Sequence, residues 1–317
     1  MKLSKIYDFV VKEGIAADPR GKDIISKALV GVKKEYEALK EKDKALFDKE
    51  KLSNPYADTR IVNGDHATEV KKVLLGIDIE VGEVLLADRL IQTGKKIDLV
   101  ISHHPEGSAY ANFYEVMGMQ ADILNKFGVP INIAEGMLKE RMKEVERRVM
   151  PANHTRAVDA ARILGIPLMC CHTPADNHVV NYLQRLFDTK KPDTVGEILE
   201  ILKEIPEYRE GMKINVGPKI LFGEPKNRAG KIFVDMTGGT EGPKDIFEKL
   251  ETAGVGTIVA MHLGEEHFKN VQKGHINVVI AGHIQSDNLG LNLLLDKLVK
   301  EDKLEFIECS GFKRIAR

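Results

Sequence analysis

The sequence predicts an α/β protein of two lobes with mixed, largely parallel sheets. Three observations carry that expectation. Short apolar runs alternate with amphipathic helical stretches from about residue 70 to the end. Three of the runs, VISHHPEG (100–107), PLMCCHTPADN (167–177) and VVIAGHIQSDN (278–288), end in histidine and pass into a polar loop. The chain has 317 residues, more than a single core usually organises.

Taken in order, Leu3, Ile6, Tyr7, Val10 and Val11 form a helical stripe that docks on the body. Residues 22–51 start with an apolar face (Ile24, Ile25, Ala28, Leu29) and continue as interleaved Lys and Glu, the pattern of a solvent-exposed helix or helical hairpin. NPYADTRIVNG (54–64) has turn residues at both ends and no period, and reads as a boundary. A helical extension thus spans 1–65, a first lobe 66–191 and a second 192–317.

Within the first lobe, 70–79 reads as a strand, 83–93 as a helix and 97–102 as a parallel strand. A helix over 111–127 is closed by Gly128, and a short strand is expected at 130–133. Helices over 136–150 and 155–164 precede the strand 167–171, and the apolar face from Val179 to Phe187 marks another helix. After the linker at 190–193, Thr194 and Glu197 signal a capping box for a helix reaching about residue 205. Residues 206–218 read as irregular. Strands follow at 220–222, 232–236, 257–261 and 276–281, with helices near 242–253 and 264–273. A last helix covers 289–298 and a closing strand 304–308.

A net charge of −1 with 30% charged residues gives no basic excess for nucleic-acid binding. No apolar run approaches bilayer length and no signal peptide is evident, so a cytoplasmic location is expected, with no membrane partner. The three cysteines, Cys170, Cys171 and Cys309, make neither a disulfide framework nor a CxxC pair.

The chemistry gathers at the histidine-bearing ends. In an open α/β sheet, ligands collect beyond the carboxyl ends of strands, so His103, His104, His172, Asp176, His283 and Asp287 can share one place. Imidazole with carboxylate and no thiolate suits Zn, Fe or Mn. Side chains of consecutive residues diverge in an extended segment, so His103 and His104 point to two ions rather than one. Asp176 has a plainer role open to it as a helix N-cap, and Ser286 is a candidate N-cap beside Asp287. His172, His262 and Glu106 are the candidates for moving a proton. The Gly-rich turn MTGGTEGPKD (236–245) could offer amides to an anion.

At these residues the chain resembles the NGG-one-interacting-factor-three-like family, dinuclear-metal proteins often labelled GTP cyclohydrolase I type 2 homologues. The similarity covers roughly 70–317 and the first helix. His103, His104 and Pro105 match the family's HHP motif. His172-Thr-Pro-Ala-Asp176 matches its H-x-P-x-D loop, and Gly282, His283, Ser286 and Asp287 match GH-x-x-[ST]-E with Asp in place of Glu. Thr237-Gly238-Gly239 is similar to its Gly-rich turn. The resemblance implies two interlinked lobes with the metal site in the crevice between them. It implies His103 and Asp176 on one ion, His104 and His283 on the other, and Asp287 bridging. It further implies a homohexamer and a cyclohydrolase-like attack of a metal-activated water on a nucleotide-like or heterocyclic small molecule; a ring that stores metal or scaffolds partners is the alternative. The family's aromatic-Asp-Asn-x-Gly-Leu segment is not recognisable, and a charged insertion occupies 22–60.

Overall fold

The computed structural model describes residues 1–317, in which two sheets hold a pair of helices between them. The first sheet has the order β1-β4-β3-β2-β9, with β1 Arg60–Asn63, β2 Lys72–Gly76, β3 Leu99–Ser102, β4 Leu168–Cys170 and β9 Glu305–Cys309. The second has the order β5-β8-β7-β6, with β5 Lys219–Phe222, β6 Lys231–Asp235, β7 Val255–Ala260 and β8 Asn277–Ile280. In each sheet one edge strand, β1 or β5, runs antiparallel and all other pairings are parallel. The expected α/β class with mixed, largely parallel sheets is therefore what the chain forms. Because β9 returns from beyond the second sheet to pair with β2, the two halves are interlinked in sequence as well as in space.

The helices Thr173–Lys190 and His283–Glu301 form the middle layer. Ala175, Leu291, Leu294 and Leu298 face the first sheet, while Val179, Val180, Leu183 and Leu289 face the second. Both helices are thus packed on two sides, with the polar Asn177, Asn288 and Asn292 buried among the apolar contacts. They approach closely because residue 290 is glycine: a Cβ there would lie 2.3 Å from the Ala175 carbonyl oxygen. The outer faces of the sheets carry the helices Val81–Gln92 and Arg156–Ile163 on one side, and Met119–Lys126, Ile131–Val149 and Ile246–Thr252 on the other.

Several local expectations are corrected. Residues 130–133 form no strand; Pro130 precedes the helix Ile131–Val149, whose buried Ala134, Leu138, Val145 and Val149 form one face and override the β-branched start. The helix expected over 111–127 is three pieces, Gly107–Ala111, a 3-10 turn Phe113–Gly118, and Met119–Lys126. Residues 206–213 are helical, with Pro206 in the first turn where its missing N–H costs nothing. The segment read as a boundary holds β1, too short for a period to show. No helix is long and apolar enough to cross a membrane. The charged stretch after residue 22 is the largely exposed helix Lys22–Ala38 followed by short turns, as its interleaved signs predict.

Candidate metal centre

The parallel strands deliver their carboxyl ends to the crevice between the sheets. Beyond β3, the ladder continues for two residues, His103 N–H donating to Gly76 O (3.0 Å) and His104 N–H to Ile77 O (2.8 Å), so both histidines are held by backbone before their side chains act. Beyond β4, His172 precedes the helix Thr173–Lys190, which starts earlier than expected and places Asp176 inside its first turn rather than at its N-cap. Beyond β8, Gly282 is the N-cap, at a φ of 112° that favours glycine, and the helix starts at His283. Ser286 is therefore within the helix and not its cap; its hydroxyl bonds the Gly282 carbonyl and meets the Tyr208 hydroxyl.

The side chains converge. His103 Nε2 lies 3.5 Å from Asp176 Oδ1 and 3.5 Å from Asp287 Oδ1. On the other oxygen, Asp287 Oδ2 lies 3.6 Å from His104 Nε2 and 3.7 Å from His283 Nε2. His172 Nε2 is 3.6 Å from Asp176 Oδ2. These separations exceed hydrogen bonds, yet bonds of about 2.0–2.2 Å to one ion set neighbouring ligand atoms about 3–3.6 Å apart. In three sets of donors the ligand atoms all lie within 4.8 Å of one another: His103, His104 and His172; His104, His283 and Asp287; His103, Asp176 and Asp287.

Two further observations bear on the fit of a cation. Six buried side-chain polar atoms in the molecule lack any hydrogen-bond partner, and four are here: His103 Nε2, Asp176 Oδ1 and both oxygens of Asp287. Buried polar atoms are rarely left so unless something else satisfies them. Three of the imidazoles are also fixed through Nδ1, His103 on Cys171 O (3.0 Å), His104 on Asp78 (2.7 Å) and His172 on Asp58 (2.8 Å), leaving Nε2 to the interior. Metal-binding histidines are oriented in this way. A buried His/Asp cluster able to hold a metal ion is thus present.

Its electrostatics show what the cation replaces. Burial opposes charge on His172, but the carboxylates of Asp176 and Asp58 outweigh it and lift its pKa to about 9. Burial pushes Asp176 up to about 6 against the pull of His172 and His103. Asp287, despite burial, is held well below the carboxylate range by His103, His104 and His283. The acids thus favour a proton on His172, which a divalent ion bound there would displace.

A cleft of about 950 Å³, its open mouth included, adjoins the cluster. His172, Asp176, His283 and Asp287 lie at one end, His262 beside them, and the Gly-rich loop after β6 forms one wall. His262 is half-exposed, 4.9 Å from the His283 ring, with Nδ1 3.2 Å from Glu241 Oε1. The bond to Glu241 outweighs burial and raises the His262 pKa. Along the loop Gln120 Nε2 donates to the carbonyls of Gly238 and Thr240, and the acids Asp235 and Glu241 also line the cleft. Glu106 does not line the cleft. It precedes the helix Gly107–Ala111, where burial, with Glu80 and Asp78 nearby, pushes its carboxyl up to about 7 against the effect of Arg156.

Asp58 and Asp78 escaped the sequence reading. Asp78 had a weak signal, an acid just past a strand that neighbours the HHP strand. Asp58 had none, since its partner is 114 positions away.

No protein-family model and no curated protein matches the chain. Among solved structures, a NIF3 superfamily protein from Sphaerobacter thermophilus is 28% identical, with a TM-score of 0.71 over 81% of this chain and 92% of that one. Reduced HcgD from Methanocaldococcus jannaschii, at 15% identity, shares the fold with a TM-score of 0.50 over 79% of this chain and 87% of that one. The histidine-bearing strand ends, the two interlinked sheets and the Sphaerobacter likeness agree, and together they support a NIF3-like assignment for the chain.

Proposed function

We propose that the protein is a metal-dependent hydrolase that holds two divalent transition-metal ions per chain, Zn, Fe or Mn, and acts on a nucleotide-like or heterocyclic small molecule. The observation that carries this reading is the pairing of unsatisfied donors with a cleft beside them: buried Asp176 and Asp287 atoms without partners line it, and the unpartnered His103 Nε2 lies 3.5 Å behind both. The alternative, a ring that stores metal or scaffolds partners, would be better served by a closed site.

In this proposal His103, Asp176 and His172 hold one ion, His104 and His283 the other, and Asp287 lies between with one oxygen toward each side. When bound, the ions supply an acidified water and polarise the electrophile. The remaining work falls to the chain. Asp58, Asp78 and the Cys171 carbonyl keep three imidazoles in the tautomer that turns Nε2 inward. His262 carries the proton at Nε2 while Glu241 holds its Nδ1–H. Phe233, Ile246, Phe247 and Leu250 give the cleft an apolar stretch of lining. Glu106, outside the cleft, has no part. By its family resemblance and its free cysteines we place the protein in the cytoplasm as a homohexamer, which light scattering on the purified chain would test.

The decisive measurement is elemental analysis of protein purified without added metal, beside His104→Ala and Asp287→Ala. About two first-row ions per chain, falling sharply in both variants, are expected; turnover is then sought on nucleotides and phosphoesters. Metal below stoichiometry, unchanged in the variants and not restored by Zn, Fe or Mn, sinks the proposal.

A further inference from the structure

The cleft wall at the carboxyl end of β6 has its own chemistry. Asp235 is the last residue of β6, in register with Ala260 of β7. Strand alternation puts it on the face of Phe233, toward the outer helices, and opposite Val234 and Met236, which pack toward the middle layer. There it lines the cleft beside Phe233, Ile246, Phe247, Leu250 and Ala260. Its side chain is exposed to the water of the cleft.

The neighbouring acid is already committed. Glu241 takes His262 Nδ1 (3.2 Å) and the Gly264 N–H (2.6 Å), with His267 Nδ1 3.6 Å from its second oxygen. His267 spends its other nitrogen on the Gly242 carbonyl. Neither oxygen of Asp235 has a hydrogen bond or an ion pair, and Asp235 is in none of the groups whose donor atoms are close enough to share a metal. An unpaired carboxylate against an apolar wall repels anions, leaves neutral bodies without a partner, and is complementary to a planar group offering positive charge and paired N–H donors.

We propose that Asp235 and the apolar wall around it form a subsite for an amidinium or guanidinium group carried on a flat apolar body, with the metal end of the cleft left for the rest of the ligand. This deepens the hydrolase reading, on which it rests only in taking the cleft as the place where substrate binds.

The probe is benzamidine, compared with its neutral and anionic relatives benzamide and benzoate, by calorimetry and saturation-transfer NMR on the full chain. Chelator-treated protein and the His104→Ala variant are used alongside the metal-loaded protein, so the outcome does not depend on the metal centre. Benzamidine should bind at least about tenfold more tightly than benzamide, benzoate should not bind to metal-free protein, and Asp235→Asn should lose at least about tenfold for benzamidine alone. Thermal unfolding and metal content of Asp235→Asn should match the unaltered protein, which separates loss of the subsite from loss of the fold. Equal binding of benzamidine and benzamide, no benzamidine binding at all, or binding indifferent to Asp235→Asn overturns the proposal. Benzamidine selectivity in a protein that fails to take up Zn, Fe or Mn would instead sink the hydrolase reading and leave the subsite standing.

Discussion

The two sheets repeat one strand order, β1-β4-β3-β2 in the first and β5-β8-β7-β6 in the second, yet equivalent ends have been put to different uses. After β3 come His103 and His104, after β7 the single His262; after β4 comes His172 with Asp176, after β8 His283 with Asp287. The first sheet's histidines are anchored through Nδ1 and deeply placed, His103 at 0% exposure. The second sheet's His283 has no such anchor, its side chain is 41% exposed, and burial alongside His104 still lowers its pKa to about 4 against the pull of Asp287. One wall of the crevice is a rigid donor array and the other is where the site opens into a cleft. Equivalent topology fixes where functional residues go and leaves their task to the side chains around them.

The sharpest way to break this comparison is at the joint between the walls. Gly290→Ala forces a methyl onto the Ala175 carbonyl and pushes apart the helices that carry Asp176 and Asp287. A loss of about 3 kcal/mol in urea unfolding of metal-free protein is expected, together with reduced metal per chain. Unchanged stability and full loading would show that the helix crossing does not set the donor spacing.

A smaller effect grades the anchored wall itself. Asp58 is fully buried and also takes the Thr173 hydroxyl, whereas the Asp78 side chain is 57% exposed. Asp58→Ala should weaken metal binding by about 10- to 100-fold, measured against a chromogenic chelator, and Asp78→Ala by clearly less. Equal losses would mean that burial does not decide how well an imidazole is held.

The smallest effect belongs to the open wall. Its His262 bond, with burial opposing, holds the Glu241 carboxyl down at about 2, from an unfolded value near ~4.5. The stabilisation is therefore complete above about pH 4.5 and is lost as pH falls toward about 2. With His262 half-exposed, screening leaves about 1 kcal/mol. Acid titration of metal-free protein should show that much less slope in Glu241→Gln; identical curves would remove the pair from the account.

Much of this was legible in the sequence because parallel strands announce themselves as apolar runs, and imidazoles at their ends have few other reasons to recur. His103, His104, His172, Asp176, His283 and Asp287 were found by that logic, and the structure brings all six together. What escaped depends on partners distant in sequence. Asp58 acquires meaning only through His172 and Thr173, and β1 only through β4. Residues 130–133 have strand composition, but the buried face of Ala134, Leu138, Val145 and Val149 that follows them decides for helix. Ser286 looked like a cap because the helix start was placed too late; Gly282 and its positive φ mark the true one.

The return of β9 to the edge of β2 has a kinetic consequence. Lys72 pairs with Glu305, so the first sheet cannot close until nearly all the intervening chain, the whole second sheet included, has been threaded into place. Such long-range closure is slow and makes the two halves poor independent folding units. His103 and Asp287 meet late for the same reason. An ion reaching the chain early finds only fragments of a site, and tight capture coincides with completion of the fold.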